Sequence, residues 1–275
     1  MKAGPECRDC LKKLARQAME LATADLKARS KIEEEVAKIL ERLSPNVIPS
    51  DLSNEFHPLI RKLSGNPDPY RERKMREIEA ARLAFSRIGP TGDLRRCVEI
   101  AAQGNAIDFF VDHKTLLRSL RETPKFAIDH IDLLERKLAT AREILYLSDN
   151  AGEAFFDLPL VKALSRHAGV TYAVKEAPIQ NDLTLEDLRL AGLFDSFENI
   201  IEAPATIGVY LEKSSPEFRE KFDRADLVVA KGMGNYETLS ELPARGKIFY
   251  ILRAKCGPVA RSLEVDIDDY VAMLR

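Results

Sequence analysis

The hydrophobic rhythm of the chain changes once, near Ala141, and that change limits the folds open to it. Before it, apolar residues recur at helical spacing. Leu11, Leu14, Ala15, Ala18, Met19 and Leu21 share one face of a helix predicted over residues 7–26. Ser30, with Glu33 three residues on, has the form of a capping box for a helix running to Leu43, which Ser44-Pro45-Asn46 stops. Further helices are predicted over 51–63 and over 70–88, the latter with Asp68 as its cap, and in short stretches at 94–102, 113–120 and 128–139. After Ala141 the chain shows short, often β-branched runs at 144–147, 170–174, 200–201, 227–230 and 248–252, most of them separated by helical stretches. Strands alternating with helices imply a parallel sheet covered on both faces. The expected architecture is a helical N-terminal domain over 1–140 and an α/β domain over 141–275. The latter is doubly wound, mainly parallel and Rossmann-like in its three layers. With 275 residues and 45% hydrophobic content, the chain can build cores of that size.

Several function classes are disfavoured. The net charge of −2 gives no basic field for nucleic acid. No apolar run approaches the ~18 residues of a membrane helix. The first ten residues are charged and lack a signal-peptide apolar stretch, so a cytoplasmic protein is expected. No GxGxxG follows a strand, and neither a P-loop nor a GxSxG elbow occurs. His57, His113, His130 and His167 lack zinc-site spacing.

In open parallel sheets, ligands bind beyond the carboxyl ends of the strands. Those ends carry unusual chemistry here. After the first predicted strand stand Asp149, Asn150, Gly152 and Glu153; after the second, Lys175, Asn181 and Asp182. Lys231, Gly232, Gly234, Asn235 and Glu237 follow the fourth, and Lys255 and Cys256 the fifth. Asp149, Asn150 and Asp182 are hard oxygen donors, which suit Mg²⁺ or Mn²⁺ better than structural zinc. A helix N-terminus at Gly152, whose missing side chain leaves room for substrate, would present N–H groups to an anion, and Lys231 would add positive charge. Metal, helix N-terminus and lysine together suit a phosphate group. Each element has a plainer reading: Asp149 or Asn150 as a helix cap, Asp182 as part of a capping turn, Gly232–Asn235 as an ordinary turn. Their joint occurrence at successive strand ends favours function.

The stretches SDNAGE (148–153), NDLTLED (181–187) and KGMGNYE (231–237), in that order, resemble the damage-control phosphatase family, long classed as a domain of unknown function. NPDPYRERK (66–74) and GNAIDF (104–109) resemble motifs of its helical part, and Cys7-x-x-Cys10 with Cys256 resembles its small archaeal-type branch. The resemblance implies a metal-dependent phosphatase acting on a small phosphorylated metabolite, with a water activated by the metal attacking a phosphate monoester. It implies a divalent cation (manganese, magnesium, cobalt or nickel) held by Asp149, Asn150 and Asp182. Lys231 would contact phosphate, with Gly152, Gly232 and Asn235 around it. Asn105 and Asp108 would close the crevice from the helical side, and Asp149 or Glu153 would orient or deprotonate the water.

Two alternatives stand beside this reading: an S-adenosylmethionine-dependent carboxyl methyltransferase, and a non-catalytic phosphometabolite sensor. Cys7 and Cys10 lie one helical turn apart. They read either as a second metal or redox site with Cys256, Cys97 being a further candidate, or as small buried residues.

Overall fold

The computed structural model describes residues 1–89, 91–105, 123–243 and 245–275. Three helices come first: α1 (Cys7–Ala22), α2 (Leu26–Leu40) and α3 (Pro49–Ser64). Their apolar stripes meet in a core of their own, with Ala18, Ile32, Phe56 and Ile60 fully buried. The capping box expected at Ser30 is not formed. The helix starts earlier, because Asp25 accepts from the Lys27 N–H at 2.9 Å, and Ser30 falls inside it. The 51–63 prediction is met by α3, which Pro49 opens. The predicted helix at 113–120 lies outside the described residues.

The rest of the chain builds one sheet. In chain order come α4 (Arg71–Phe85), α5 (Leu94–Asn105), β1 (Phe126–Asp129), α6 (Ile131–Leu138), β2 (Glu143–Leu147), α7 (Ala154–Leu164) and β3 (Gly169–Lys175). Then follow α8 (Leu185–Leu190), β4 (Ile200–Ala203), α9 (Pro216–Arg224), β5 (Leu227–Lys231), α10 (Gly232–Leu239), β6 (Ile248–Arg253), α11 (Gly257–Leu263) and β7 (Tyr270–Leu274). The strand order is β1-β7-β6-β5-β2-β3-β4. Every neighbouring pair is parallel except β6 with β7. The mainly parallel α/β architecture predicted from the rhythm is therefore present, with β1 and β7 as strands not anticipated.

Strand alternation covers both faces. Ile144 and Tyr146 of β2 and Leu227 and Val229 of β5 face a core shared with α4 to α8. Leu145, Leu147, Val228 and Ala230 face the opposite core, which Phe218 and Phe222 of α9 and Tyr236 of α10 complete. Helices α4, α5 and α6 and strand β1 all precede residue 141 yet belong to the layers of this sheet. The change of rhythm marks where strands become frequent; packing against the sheet begins earlier, at α4.

From β2 the chain steps outward through β3 to β4; from β5 it steps the other way to β6. Strands β2 and β5 are neighbours, in register from Ile144↔Leu227 to Leu147↔Ala230. The sheet reverses its winding between them, and that gap is where an open α/β sheet forms a ligand crevice.

Candidate active site

Ser148, Asp149 and Asn150 leave the end of β2, and a 3₁₀ turn (Ala151–Glu153) leads into α7. Neither Asp149 nor Asn150 works as a helix cap: the turn and the helix both start without a side-chain cap bond. The Asp149 carboxylate is held sideways instead. Its Oδ2 accepts from Asn105 Nδ2 at 3.0 Å and from Asn150 Nδ2 at 3.1 Å. The same two amides donate to Glu153 Oε1, at 3.0 and 2.6 Å. Asn105 reaches in from the end of α5, and its Oδ1 accepts from the Arg253 N–H at 3.1 Å, tying α5 to the end of β6.

Asp182 arrives on the neighbouring loop. An isolated bridge pairs Asn150 with Asp182, the Leu183 N–H donates to the Asp149 carbonyl at 2.8 Å, and Asn181 donates to Asn150 Oδ1. Asp182 is not the cap of α8. That role belongs to Thr184, in a reciprocal capping box with Asp187. The box is anchored from outside: Lys74, 1% exposed, pairs with Asp187 and Asp68, each at 2.9 Å. NPDPYRERK and NDLTLED thus meet in one buried ion-pair cluster.

Lys231 ends β5 and is fully buried. Its ammonium lies 2.8 Å from Glu153 Oε2 and 2.7 Å from Asp157 Oδ1. Asp157 also accepts from Tyr146 at 2.7 Å and Tyr172 at 2.9 Å. Lys231, expected at the phosphate, is thus occupied by two carboxylates beneath the crevice. Among the described residues, Lys255 is a cation at these strand ends without an ion pair. It is half-buried, and its charge favours the ionised forms of both Asp149 and Glu153.

The glycines make room for protein. Gly232 sits at φ +76°, and a Cβ there would overlap the Asp149 carboxylate. A Cβ on Gly152, expected to open space for substrate, would lie 3.1 Å from the Glu77 carbonyl oxygen, so that space is filled by α4. Asn235 clamps the two strand ends, donating to the carbonyls of Ser148 at 3.2 Å and Lys231 at 2.9 Å; its buried Oδ1 has no partner among the described residues. Asp108 lies outside the described residues.

Charge is the dominant property of this crevice. Asp149, Glu153, Asp157 and Asp182 converge on it, and the buried cations facing them are Lys231 and Lys175, the latter 3.7 Å from Asp182. Burial, then Glu153 and Asp182, push the Asp149 carboxyl well above the usual carboxylate range. Burial also raises Asp182, to about 6, against the pull of Lys175 and Lys74. Burial would raise Glu153 too, but the Lys231 ammonium, with Lys255 and the Asn150 amide, outweighs it and holds Glu153 below its ordinary value. An excess of buried carboxylate oxygen over cations fits a site completed by a metal ion. No group of three His, Cys, Asp or Glu among the described residues is arranged to hold a metal ion by itself.

The same observation bears on the cysteines. All four are free thiols. Cys7, Cys10 and Cys256 line one cavity without forming a ligand set, and burial pushes all three up, Cys256 to about 11. Cys97 is fully buried in the sheet core, away from them. Asp157 and the pairing of Lys74 went unread in the sequence. The available signal for Asp157 was a lone acid in the apolar helix AFFDLPLVKAL, one turn beyond Glu153.

A doubly wound, mainly parallel sheet with an acidic, amide-braced crevice at its winding reversal defines the class: an open α/β protein with buried carboxylates at its strand ends. The family follows from comparison with known proteins. The family model described as "Damage-control phosphatase ARMT1-like domain" matches residues 3–271, and the chain belongs to that family. It is 36% identical to a damage-control phosphatase of Pyrococcus horikoshii, over 99% of this chain and 98% of that one. It is 35% identical to a damage-control phosphatase of Archaeoglobus fulgidus, over 99% of each. An uncharacterised protein of Methanocaldococcus jannaschii is 32% identical, over 100% of this chain and 96% of its own. The crystal structure of a DUF89 family protein from P. horikoshii superposes with a TM-score of 0.89 at 35% identity, covering 100% of this chain and 99% of that one.

Proposed function

We propose that the protein is a metal-dependent phosphatase that hydrolyses small phosphorylated metabolites. The observation that carries this reading is the surplus of carboxylates over cations at the β2 and β5 ends, beside one lysine left unpaired among the described residues. Family membership and the names of the relatives point the same way.

Asp149, Asn150 and Asp182 would hold the divalent cation, which when bound supplies Lewis-acid polarisation of the phosphoryl group and acidifies water. The residues of the chain do the rest. Asn105 and Asn150 both address Asp149 Oδ2, leaving Oδ1 without a hydrogen-bond partner among the described residues. That atom would take a proton from the attacking water. Glu153, kept ionised by Lys231, fixes both amides and through them the Asp149 carboxylate. Lys255 carries the charge of the phosphoryl group, since the Ala151 and Glu153 N–H groups already donate to the Asn181 and Asn150 carbonyls at 2.9 and 3.0 Å. Lys231 acts one layer down, as a positioning residue.

The test is hydrolysis of 4-nitrophenyl phosphate after chelation and after add-back of Mn²⁺, Mg²⁺, Co²⁺ or Ni²⁺, with Asp149→Asn beside the parent. Activity should vanish in chelator and return with metal. The variant should lose metal affinity and turnover while its melting temperature holds or rises, because one member of a repelling carboxylate group is gone. Full activity in chelator, or normal metal binding by the variant, would refute the assignment.

A further inference from the structure

A cavity of about 250 Å³ adjoins the site, where α1 and α3 meet the segments that follow β5 and β6. Chain neighbours and one hydrogen bond link it to the crevice: the Met233 sulfur in its wall accepts from the Lys255 N–H at 3.3 Å. Met233 follows Gly232, Gln180 precedes Asn181, and Cys256 follows Lys255. Its size falls just below the ~300–1,000 Å³ common for small-molecule pockets, and junctions between packed units are where such pockets concentrate.

The lining does not suit a phosphate. Leu11, Leu14, Met233 and Pro258 supply apolar surface, and the thiols of Cys7, Cys10 and Cys256 soften it. No lysine, arginine or histidine contributes to the wall. The Met1 ammonium at its edge is paired with Glu241 at 2.8 Å. Of the two acids, Glu6 is taken up by Arg261, at 2.8 and 2.7 Å. Glu237 remains; the Ser50 side chain hydrogen-bonds it, and the Met1 ammonium that also acts on it is committed to Glu241.

We infer that this cavity receives the organic group of the phosphate ester, and that this group is compact, largely apolar, and carries a neutral or cationic hydrogen-bond donor for Glu237. The inference rests on the phosphatase reading above and names the substrate class for that same site. A second phosphate or a carboxylate on the organic group would meet Glu237 where the nearby Met1 ammonium is already committed to Glu241. A polyol would set most of its hydroxyls against leucine, methionine and thiol, leaving them unpaired.

Three esters test this in the metal-loaded protein: methyl phosphate, 4-(aminomethyl)phenyl phosphate and 4-carboxyphenyl phosphate. The aminomethyl ester should exceed the carboxy ester in kcat/KM by about tenfold or more, and Glu237→Gln should bring that ratio towards one. Cys10→Phe, which adds bulk to the wall at an exposed position, should lower the ratio of aminomethylphenyl to methyl ester by about tenfold. A second readout needs no turnover. Maleimide labelling of Cys10 should slow when 4-(aminomethyl)phenol is present and stay unchanged with orthophosphate. Absence of turnover with every ester and metal would overturn the phosphatase reading, whereas protection by the phenol would still support the cavity as a site for this class. Turnover with equal ratios in parent and variants, or Cys10 protected by Zn²⁺ and not by the phenol, would overturn the inference.

Discussion

Removing the Lys231 ammonium should damage the fold before it damages anything else. The side chain is fully buried and is shared between Glu153 and Asp157 at 2.8 and 2.7 Å. Lys231→Met keeps most of the volume and deletes the charge, leaving two carboxylates facing each other without their cation. Breaking a buried pair by deleting one partner typically costs about 3–5 kcal/mol. For a domain of this size each kcal/mol moves the melting temperature by about 2–4 °C, so a drop of about 6–20 °C is expected. Adding Asp157→Asn should recover part of it, because only Glu153 then lacks its partner. The assay is thermal melting of parent, single and double variants in chelator, by circular dichroism and calorimetry. A single variant melting within about 2 °C of the parent, with phosphate affinity reduced ten- to a hundredfold, would show that the ammonium faces ligand. The buried-pair argument would then fail.

Two further outcomes follow from the same geometry. Gly232→Ala places a Cβ on the Asp149 carboxylate at a left-handed backbone position, so metal affinity measured by calorimetry should fall at least about tenfold together with a loss of about 1–3 kcal/mol in stability; an unchanged metal affinity would mean that the carboxylate is free to move. His57 is 4% exposed, and burial holds its imidazole down at about 3. Its contribution to stability is present in full above the unfolded value of 6.5 and is lost as pH falls from there towards about 3. His57→Gln should therefore flatten the stability profile in that window by about 1.4 kcal/mol per pH unit, and a parallel profile would contradict this.

The sequence was most readable where one residue's local pattern decides the outcome. Four of the five apolar runs after Ala141 became strands largely buried on both faces, a condition that composition alone can express, while β4 at the sheet edge keeps an exposed Glu202. β1 was not legible: FAID is four residues long and alternates half-buried with exposed, as an edge strand does, and nothing local separates it from a helix start. Ser30 misled for a related reason. A capping-box signature is satisfied by sequence, yet Asp25 is already in place upstream to start the helix. At the site, the residue types at the strand ends could be named from topology rules. Lys231 and Lys255 could not be told apart, because which lysine turns inward depends on Asp157, Tyr146 and Tyr172 coming from three other elements. Gly152 was read as space for a ligand because the approach of α4 is a long-range fact.

That approach of α4 makes the helix a ruler. Lys74 grips the loop that presents Asp182, through Asp187, and one turn later the backbone of Glu77 rests against Gly152 beside Asp149. Both loops are indexed to the same stretch of helix, so the gap between their acids is measured outside the sheet. Inserting or deleting a residue between positions 74 and 77 would turn one mark about 100° from the other. The acids would stay intact in sequence and lose their spacing.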